Sequence, residues 1–406
     1  HTIKMLFAVI WLVTLLCVRS APTDLIHNAA STDQIADEYL IVLHEIHTDR
    51  VAHRLKYVNV DDVIAKLKGI SEEIEVLEKF MALKPPILHV RASKEDLVKR
   101  ALQLNEVKLI EANGAHFKAQ RCGSQQTWSE YWGLSRIAGP HSGILDYSYQ
   151  PADGFRARAY ILDTGIFPNH TFFMRRVEFG ANTIGGNDED NNGHGTFSAG
   201  IAIGSVSGVA RGAKAVSVKV LDDNGVGSTS SVIAGVNWVI ENLESIGGRG
   251  VISMSLSGAP SEALDSAVES AVDANIPVVV AAGNMNSDAC NFSPARSSKV
   301  ITVAATNIND ELAAFSNWGS CVDILAPGAG IKSAGTCSKC VRVEDGTSAS
   351  AAFVAGDVAI LLSQFPFQDP ASIKNLLKER ATQGYIDLRG HEETPNSLLY
   401  ERCQNF

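Results

Sequence analysis

The sequence predicts a doubly wound α/β domain with a mostly parallel sheet, preceded by a small α+β module. From Arg121 onward the chain is rich in Gly, Ala, Ser and Val. Its strand candidates there are continuous apolar, β-branched runs, the pattern of parallel strands covered on both faces. Helical stretches alternate with them, which is the order of a βαβ domain. The strands are read at 157–162, 215–220, 251–256, 277–282 and 300–304, with helices at 230–243 and 263–274. The segment Asp345 to Gly356 continues small or apolar on every face to Leu362 and predicts a buried helix.

Residues 21 to 120 have a different texture, richer in Lys and Glu. Apolar runs at 39–43, 87–90 and 107–110 read as strands. Val60 to Lys68, together with Ile74 to Phe80, reads as helical, as does Lys94 to Leu104 with Ser93 as its cap and Asp96 three residues on. Strand, helix, strand, helix, strand is the order of a compact α+β unit.

With 45% hydrophobic and 20% charged residues, the chain is neither fibrous nor disordered. The net charge of −10, without a Lys/Arg cluster, argues against nucleic acid or an anionic membrane as partner. Met5 reads as the initiator, and Leu6 to Val18 as the apolar stretch of a signal peptide. Val18 and Ser20 are the small residues before a cut, giving a signal peptide over 1–20. A membrane anchor is the alternative, disfavoured by the short length. Export implies a secreted, extracellular and oxidising setting. Of 7 cysteines, removal of Cys17 leaves six, an even number suited to disulfides. Asn169-His-Thr171 and Asn291-Phe-Ser293 are glycosylation sequons.

Four polar residues stand at element ends. Asp163 closes the first strand of the larger domain, where open α/β sheets place ligand sites, although many strands simply end in Asp-x-Gly turns. His194 sits between glycines at the start of a small-residue helix. Ser348 lies in the first turn of the apolar helix, beside unpaired backbone N–H groups and the positive end of the helix dipole. Alone it could be a helix cap. Asn284 ends another strand, where its amide could donate to an oxyanion or merely form a turn. The order Asp, His, Ser is the one found in subtilisin. An α/β-hydrolase would need G-x-S-x-G and the order Ser, Asp, His, and neither is present.

ILDTGI, NGHGTFSAG, VVVAAGN and DGTSASAAFVAG, in this order, make residues 130 to 400 resemble the proteinase K-like secreted branch of the subtilisin-like serine peptidases. The resemblance implies the subtilisin-like fold and a zymogen: an inhibitory, ferredoxin-like propeptide over 21–120 and a catalytic domain over 121–406. It implies Ser348 as nucleophile, His194 as general base, Asp163 as its orienting carboxylate and Asn284 as oxyanion donor. Gly225, Val226 and Gly227 would pair with an extended polypeptide substrate, with Ser255, Leu256, Ser257 and Gly258 as the opposite wall. Ala281, Ala282 and Gly283 would line an uncharged pocket, favouring uncharged P1 residues over dibasic sites. The propeptide would serve as intramolecular chaperone and inhibitor, its tail Phe117 to Gln120 lying in the cleft and being cut after Gln120. The expected product is a monomeric serine endopeptidase needing no cofactor for its chemistry.

The resemblance also implies a Cys290–Cys321 bridge and a structural calcium at Asp323, with carbonyls near Ser298 and Val300. Asp188-Glu-Asp190 reads instead as a solvated acidic loop. For Cys337-Ser-Lys-Cys340, zinc would need two further suitably spaced ligands and a redox role a thioredoxin-like context, so a local disulfide is preferred. By elimination, Cys122 and Cys403 remain to tie the two ends of the mature chain. Phe197 and Phe353 replace histidines usual in the family, Ala349 a methionine and Ala352 a proline. These departures keep open a homologue that retains its propeptide and acts as a binding protein.

Overall fold

The computed structural model of the chain describes residues 26–27, 34–44, 46–49, 54–80, 86–92, 100–101, 103–114, 123–126, 129–139, 146–149, 153–365 and 368–401. The signal-peptide stretch, the junction after Gln120, Cys122 and Cys403 lie outside them. Two compact units divide between Lys118 and Ala119.

In the first unit the strands are β1 (Ile26–His27), β2 (Gln34–Leu43), β3 (Ile46–Asp49), β4 (Arg54–Tyr57), β5 (Glu75–Phe80), β6 (Ile87–Arg91) and β7 (Val107–Gly114), with helix α1 (Val60–Ile70) between β4 and β5. The sheet order is β1-β7-β2-β6-β5, and β3 and β4 form a separate hairpin. Asn59 caps α1 by accepting from the Asp61 N–H. Spacing of three and four residues puts Val60, Val63 and Leu67 on one buried face, packed with Tyr39, Ile41, Leu88, Val90 and Ile110. Ile74 to Phe80 corrects the helical reading. Glu75–Phe80 is a strand whose Val76 pairs with Val90 and whose Phe80 pairs with Ile87. As a helix it would leave the backbone of β6 unpaired on that side, a cost that local propensity does not register. Most of the helix expected at 94–104 lies outside the described residues.

The second unit opens with β8 (Gly123–Gln126), helix α2 (Trp132–Ala138) and β9 (Asp146–Tyr149). Its main sheet contains β10 (Ala157–Asp163), β11 (Val177–Asn182), β12 (Lys214–Lys219), β13 (Arg249–Met254), β14 (Val278–Ala281), β15 (Ile301–Thr306) and β16 (Ile324–Pro327). The hairpin β17 (Ile331–Ala334) and β18 (Val341–Glu344) follows, and β19 (Thr382–Gln383) and β20 (Ser397–Leu398) complete the sheet. Helices α3 (His194–Ile203), α4 (Thr229–Ile246), α5 (Glu262–Asp273), α6 (Thr347–Gln364) and α7 (Pro370–Arg380) alternate with these strands. The sheet order is β11-β12-β10-β13-β14-β15-β16-β20-β19. The pairs from β11 through β20 are parallel, and β19 alone runs antiparallel, to β20.

Period-two alternation along β10 shows why its sequence carries no polar face. Ala159 and Ile161 point into a core shared with α3 and α6, whereas Tyr160 and Leu162 point into a second core shared with α4 and α5. Each fully buried large side chain contributes roughly 1.5–3 kcal/mol. Helix α6 has the length and composition of a membrane span, but 83% of its apolar window is buried in the protein. It is the central helix of the core, in contact with α3 and with β10 and β13 to β16. The chain leaves β10 toward β12 on one side and returns to β13 on the other. The carboxyl end of β10 is therefore a topological switch point, where open α/β sheets form their crevice.

Candidate active site

Asp163 is the last residue of β10 and is fully buried. Its carboxylate accepts from the Thr164 N–H at 2.7 Å and from the Ser198 hydroxyl at 3.4 Å. Both oxygens face His194 Nδ1, at 2.8 and 2.9 Å. With Nδ1–H donating to the carboxylate, the neutral imidazole keeps its lone pair on Nε2.

His194 is the first residue of α3, and the helix reaches the β10 end because position 195 is glycine. A β-carbon there would collide with the Gly165 carbonyl and press on Asp163. The turn before α3 is built on Asp190, buried despite its acidic neighbours. Its Oδ1 accepts from Gly193 N–H at 2.7 Å and the Thr164 hydroxyl at 2.8 Å. Its Oδ2 accepts from Thr196 N–H at 2.9 Å and the Thr196 hydroxyl at 2.5 Å. Asp188 and Glu189 are exposed, so the solvated reading holds for them and is corrected for Asp190. Buried Lys219 fixes the same corner by donating to Thr164 O at 2.6 Å and pairing with Asp223.

The imidazole is 24% exposed. Burial works against its charged form, but the Asp163 carboxylate, through its charge and its hydrogen bond, and Glu344 outweigh burial and Arg342, pushing the pKa up to about 9. Arg342 and Glu344 are ion-paired on β18, and Arg342 also donates to the Asn192 carbonyl at 2.9 Å.

Ser348 is half-buried in the first turn of α6. Its hydroxyl donates to the Ser255 carbonyl at 3.2 Å, and the Ser255 hydroxyl donates to Ser348 O at 3.0 Å. Among the hydrogen bonds of the described residues, the serine hydroxyl thus points at the end of β13 rather than at the imidazole. Unliganded hydrolytic sites commonly hold this contact long or misaligned until substrate arrives. Asn284 follows β14. Its side-chain oxygen accepts from Thr347 N–H at 2.8 Å and the Thr347 hydroxyl at 2.9 Å, which turns the NH₂ outward. Beside Gly346, the place a β-carbon would take lies 3.3 Å from Asn284 Nδ2 and 3.7 Å from Ser348 N. Two donors converge on a space that the missing side chain leaves open. The 282–287 turn is held from below by buried Asn317, which accepts from Met285 and Ser287 N–H and donates to Ala282 O.

Residues 160–397 match the sequence profile of the Subtilase family. The chain is a subtilase. It is 34% identical over 400 residues to a cuticle-degrading serine protease of Arthrobotrys oligospora, covering 94% of each chain. It is 44% identical over 257 residues to Subtilisin-like protease 1 of Pseudogymnoascus destructans, covering 63% of this chain and 64% of that relative. This subtilase thus spans just under two thirds of the length of that relative. The crystal structure of a cold-adapted subtilisin-like serine proteinase is similar over 67% of this chain and 98% of its own, with a TM-score of 0.64 and 40% identity.

Gly225 and Val226 are exposed and Gly227 half-buried in a coil closed on Asp222, which binds Val226 through both its backbone N–H and its carboxylate. The backbone groups of Val226 are therefore engaged within the loop. Ser255 is buried, while Leu256 is half-buried and Ser257 and Gly258 are exposed. Gly258 pairs with Ser293 through both backbone groups. Ala281, Ala282 and Gly283 are buried beneath this level. Cys290–Cys321 and Cys337–Cys340 are disulfides. Asn169 and Asn291 are exposed. Asp323, expected to ligate calcium, instead pairs with Lys374 and Lys378. Asp190, Lys219 and Asn317 carry no motif-level signal, because what marks them is burial; Thr347 lies within the DGTSASAAFVAG block, but its bonds to Asn284 show only in the fold.

Proposed function

We propose that this subtilase is a secreted serine endopeptidase, made as a zymogen, that cleaves polypeptides by attack of Ser348 on the scissile carbonyl. The observation that carries this reading is the orientation of His194. Its Nδ1 is held by both oxygens of a buried carboxylate, so its basic Nε2 is left for the serine proton. Ser348 Oγ bonds to the carbonyl carbon as its proton passes to Nε2, and the carbonyl π electrons move to oxygen. That oxyanion takes hydrogen bonds from the Ser348 N–H and Asn284 Nδ2. The protonated imidazole then gives its proton to the leaving amine, and water repeats the sequence to release the acyl group. Asp163 keeps its charge and stabilises the imidazolium.

Asp163, His194, Ser348 and Asn284 are accordingly assigned these roles. Loops 225–227 and 255–258 form the two walls along which an extended peptide lies, and the absence of charge at 281–283 favours an uncharged P1 side chain. Residues 21–120 act as chaperone and inhibitor until cleavage near Gln120, and the apolar N-terminal run directs export. The two disulfides fit that route, since the cytosol would reduce them.

Secreted protein purified after removal of the propeptide should hydrolyse casein and react with a fluorophosphonate probe. N-terminal sequencing should place the mature start near residue 121. A chain that takes up no probe and leaves casein intact would overturn the enzymatic reading and leave a propeptide-bound binding protein in its place.

A further inference from the structure

Asp323 opens the segment before β16 and is almost wholly enclosed. Its Oδ2 accepts from Thr302 N–H at 2.9 Å and meets Lys374 Nζ at 2.8 Å. Its Oδ1 accepts from Lys378 Nζ at 2.7 Å. The Lys374 ammonium also donates to the carbonyls of Ser298 at 2.9 Å and Val300 at 2.6 Å. Its side chain is only 15% exposed. One carboxylate oxygen and two backbone carbonyls thus converge on a single positive centre, and that centre belongs to the protein.

We infer that the Lys374 ammonium group takes the place of a divalent cation at Asp323, pinning α7 to the start of β15 and making this corner of the fold independent of calcium. The donor count fits. An ammonium has three N–H bonds, and Lys374 finds one acceptor for each. Calcium would want about 6–8 oxygens at roughly 2.3–2.6 Å. No group of three or more His, Cys, Asp or Glu side chains suited to a metal occurs among the described residues. Charge points the same way. Two lysines against one carboxylate already leave the cluster positive, so a divalent ion entering beside Lys374 would meet repulsion from both ammonium groups.

The helix explains why two lysines are present. Lys374 and Lys378 are one turn apart on α7, a like-charged i,i+4 pair that destabilises an isolated helix. Sharing the Asp323 carboxylate converts that repulsion into a two-pronged clamp. Burial lowers the Lys374 pKa and the neighbouring Lys378 adds to this, while Asp323 opposes both.

Thermal unfolding and calcium calorimetry on the full chain carrying Ser348→Ala, which removes self-digestion, test the inference. The parent, Lys374→Met, Asp323→Asn and the Lys374→Met/Asp323→Asn double variant are compared with a chelator and with about 10 mM calcium. The parent and Asp323→Asn should respond equally to calcium. Lys374→Met should melt lower in chelator and gain roughly 5 °C more than the parent on adding calcium. The double variant should lose that gain. If Lys374→Met folds only with calcium, the dependence is read as refolding yield and supports the inference. A calcium response in the parent that Asp323→Asn removes would overturn it, because metal would then enter beside the lysine. A folded Lys374→Met that responds no more than the parent would overturn it too, as would failure of that variant to fold under either condition.

Discussion

Thr347 holds the side-chain oxygen of Asn284 from two directions, by its backbone N–H at 2.8 Å and its hydroxyl at 2.9 Å. The residue immediately before Ser348, the proposed nucleophile, therefore fixes which end of the amide is free to face the proposed oxyanion. That hydroxyl also accepts from Gly283 N–H at 3.1 Å, tying the helix start to the strand end.

Removal of the amide donor by Asn284→Ala should lower kcat by about 10²–10³ with little change in KM, the loss known for the corresponding donor in subtilisin itself. Thr347→Val should give a smaller kcat loss of about tenfold, because one of the two bonds that orient the amide remains. Steady-state kinetics on a peptide anilide separates the two parameters. An Asn284→Ala enzyme with unchanged kcat would remove Asn284 from the oxyanion site.

Asp190 carries the turn that presents His194, accepting from four donors with only 5% exposure to share the load with water. Asp190→Ala should cost roughly 2–4 kcal/mol of stability and should reduce kcat as well, since the start of α3 loses its anchor. Asp190→Asn keeps part of the acceptor set and should fall between. Denaturant unfolding and kcat measured on the same preparations check both effects. An Asp190→Ala protein as stable and active as the parent would show that the turn holds without it.

What could be read in the sequence divides along a physical line. Strands of the parallel sheet were legible because burial on both faces leaves no polar position to interrupt an apolar run. The reading at 157–162 differs from Ala157–Asp163 by one residue. Asp163, His194, Asn284 and Ser348 could be proposed from the sequence because each lies in a distinctive local block, at an element end or, for Asn284, in the turn beyond one. Asp190 was not, since an Asp beside Asp188 and Glu189 looks solvated until the fold closes over it. Glu75–Phe80 was misread because its state is decided by pairing with β6, a contact between segments. The fate of Asp323 was hidden for the same reason: the lysines that occupy it lie more than fifty residues along the chain.

Ala349, beside Ser348, is 1% exposed and has no sulfur to oxidise. Met285, next to Asn284, is 72% exposed, and Met174 is 69% exposed. Peroxide should convert those two to sulfoxides first, yet leave kcat/KM within about twofold, because both side chains project into solvent. Peptide mass mapping alongside activity at successive times checks this. Rapid loss of activity in step with Met285 oxidation, prevented by Met285→Leu, would show that the 284–287 turn does not tolerate the polar sulfoxide.

The pH profile follows from the charges around His194. Catalysis by general base requires the neutral imidazole, and the pKa lies raised at about 9, above the value of about 6.5 of a free histidine. The acid limb of kcat/KM should therefore lie on the alkaline side of neutrality, with activity rising as the imidazolium loses its proton. Stability moves the opposite way. For a group whose folded pKa is raised, the pair's contribution is fully present below about 6.5 and is lost as pH rises through about 9. Glu344 adds to the upward shift and Arg342 opposes it, so Glu344→Gln removes a negative charge and leaves the opposing positive one. The acid limb of that variant should move down by roughly 0.5–1 unit, with activity at high pH little altered. A limb that stays in place in Glu344→Gln would mean that solvent screens this residue from the imidazole and that Asp163 alone sets its basicity.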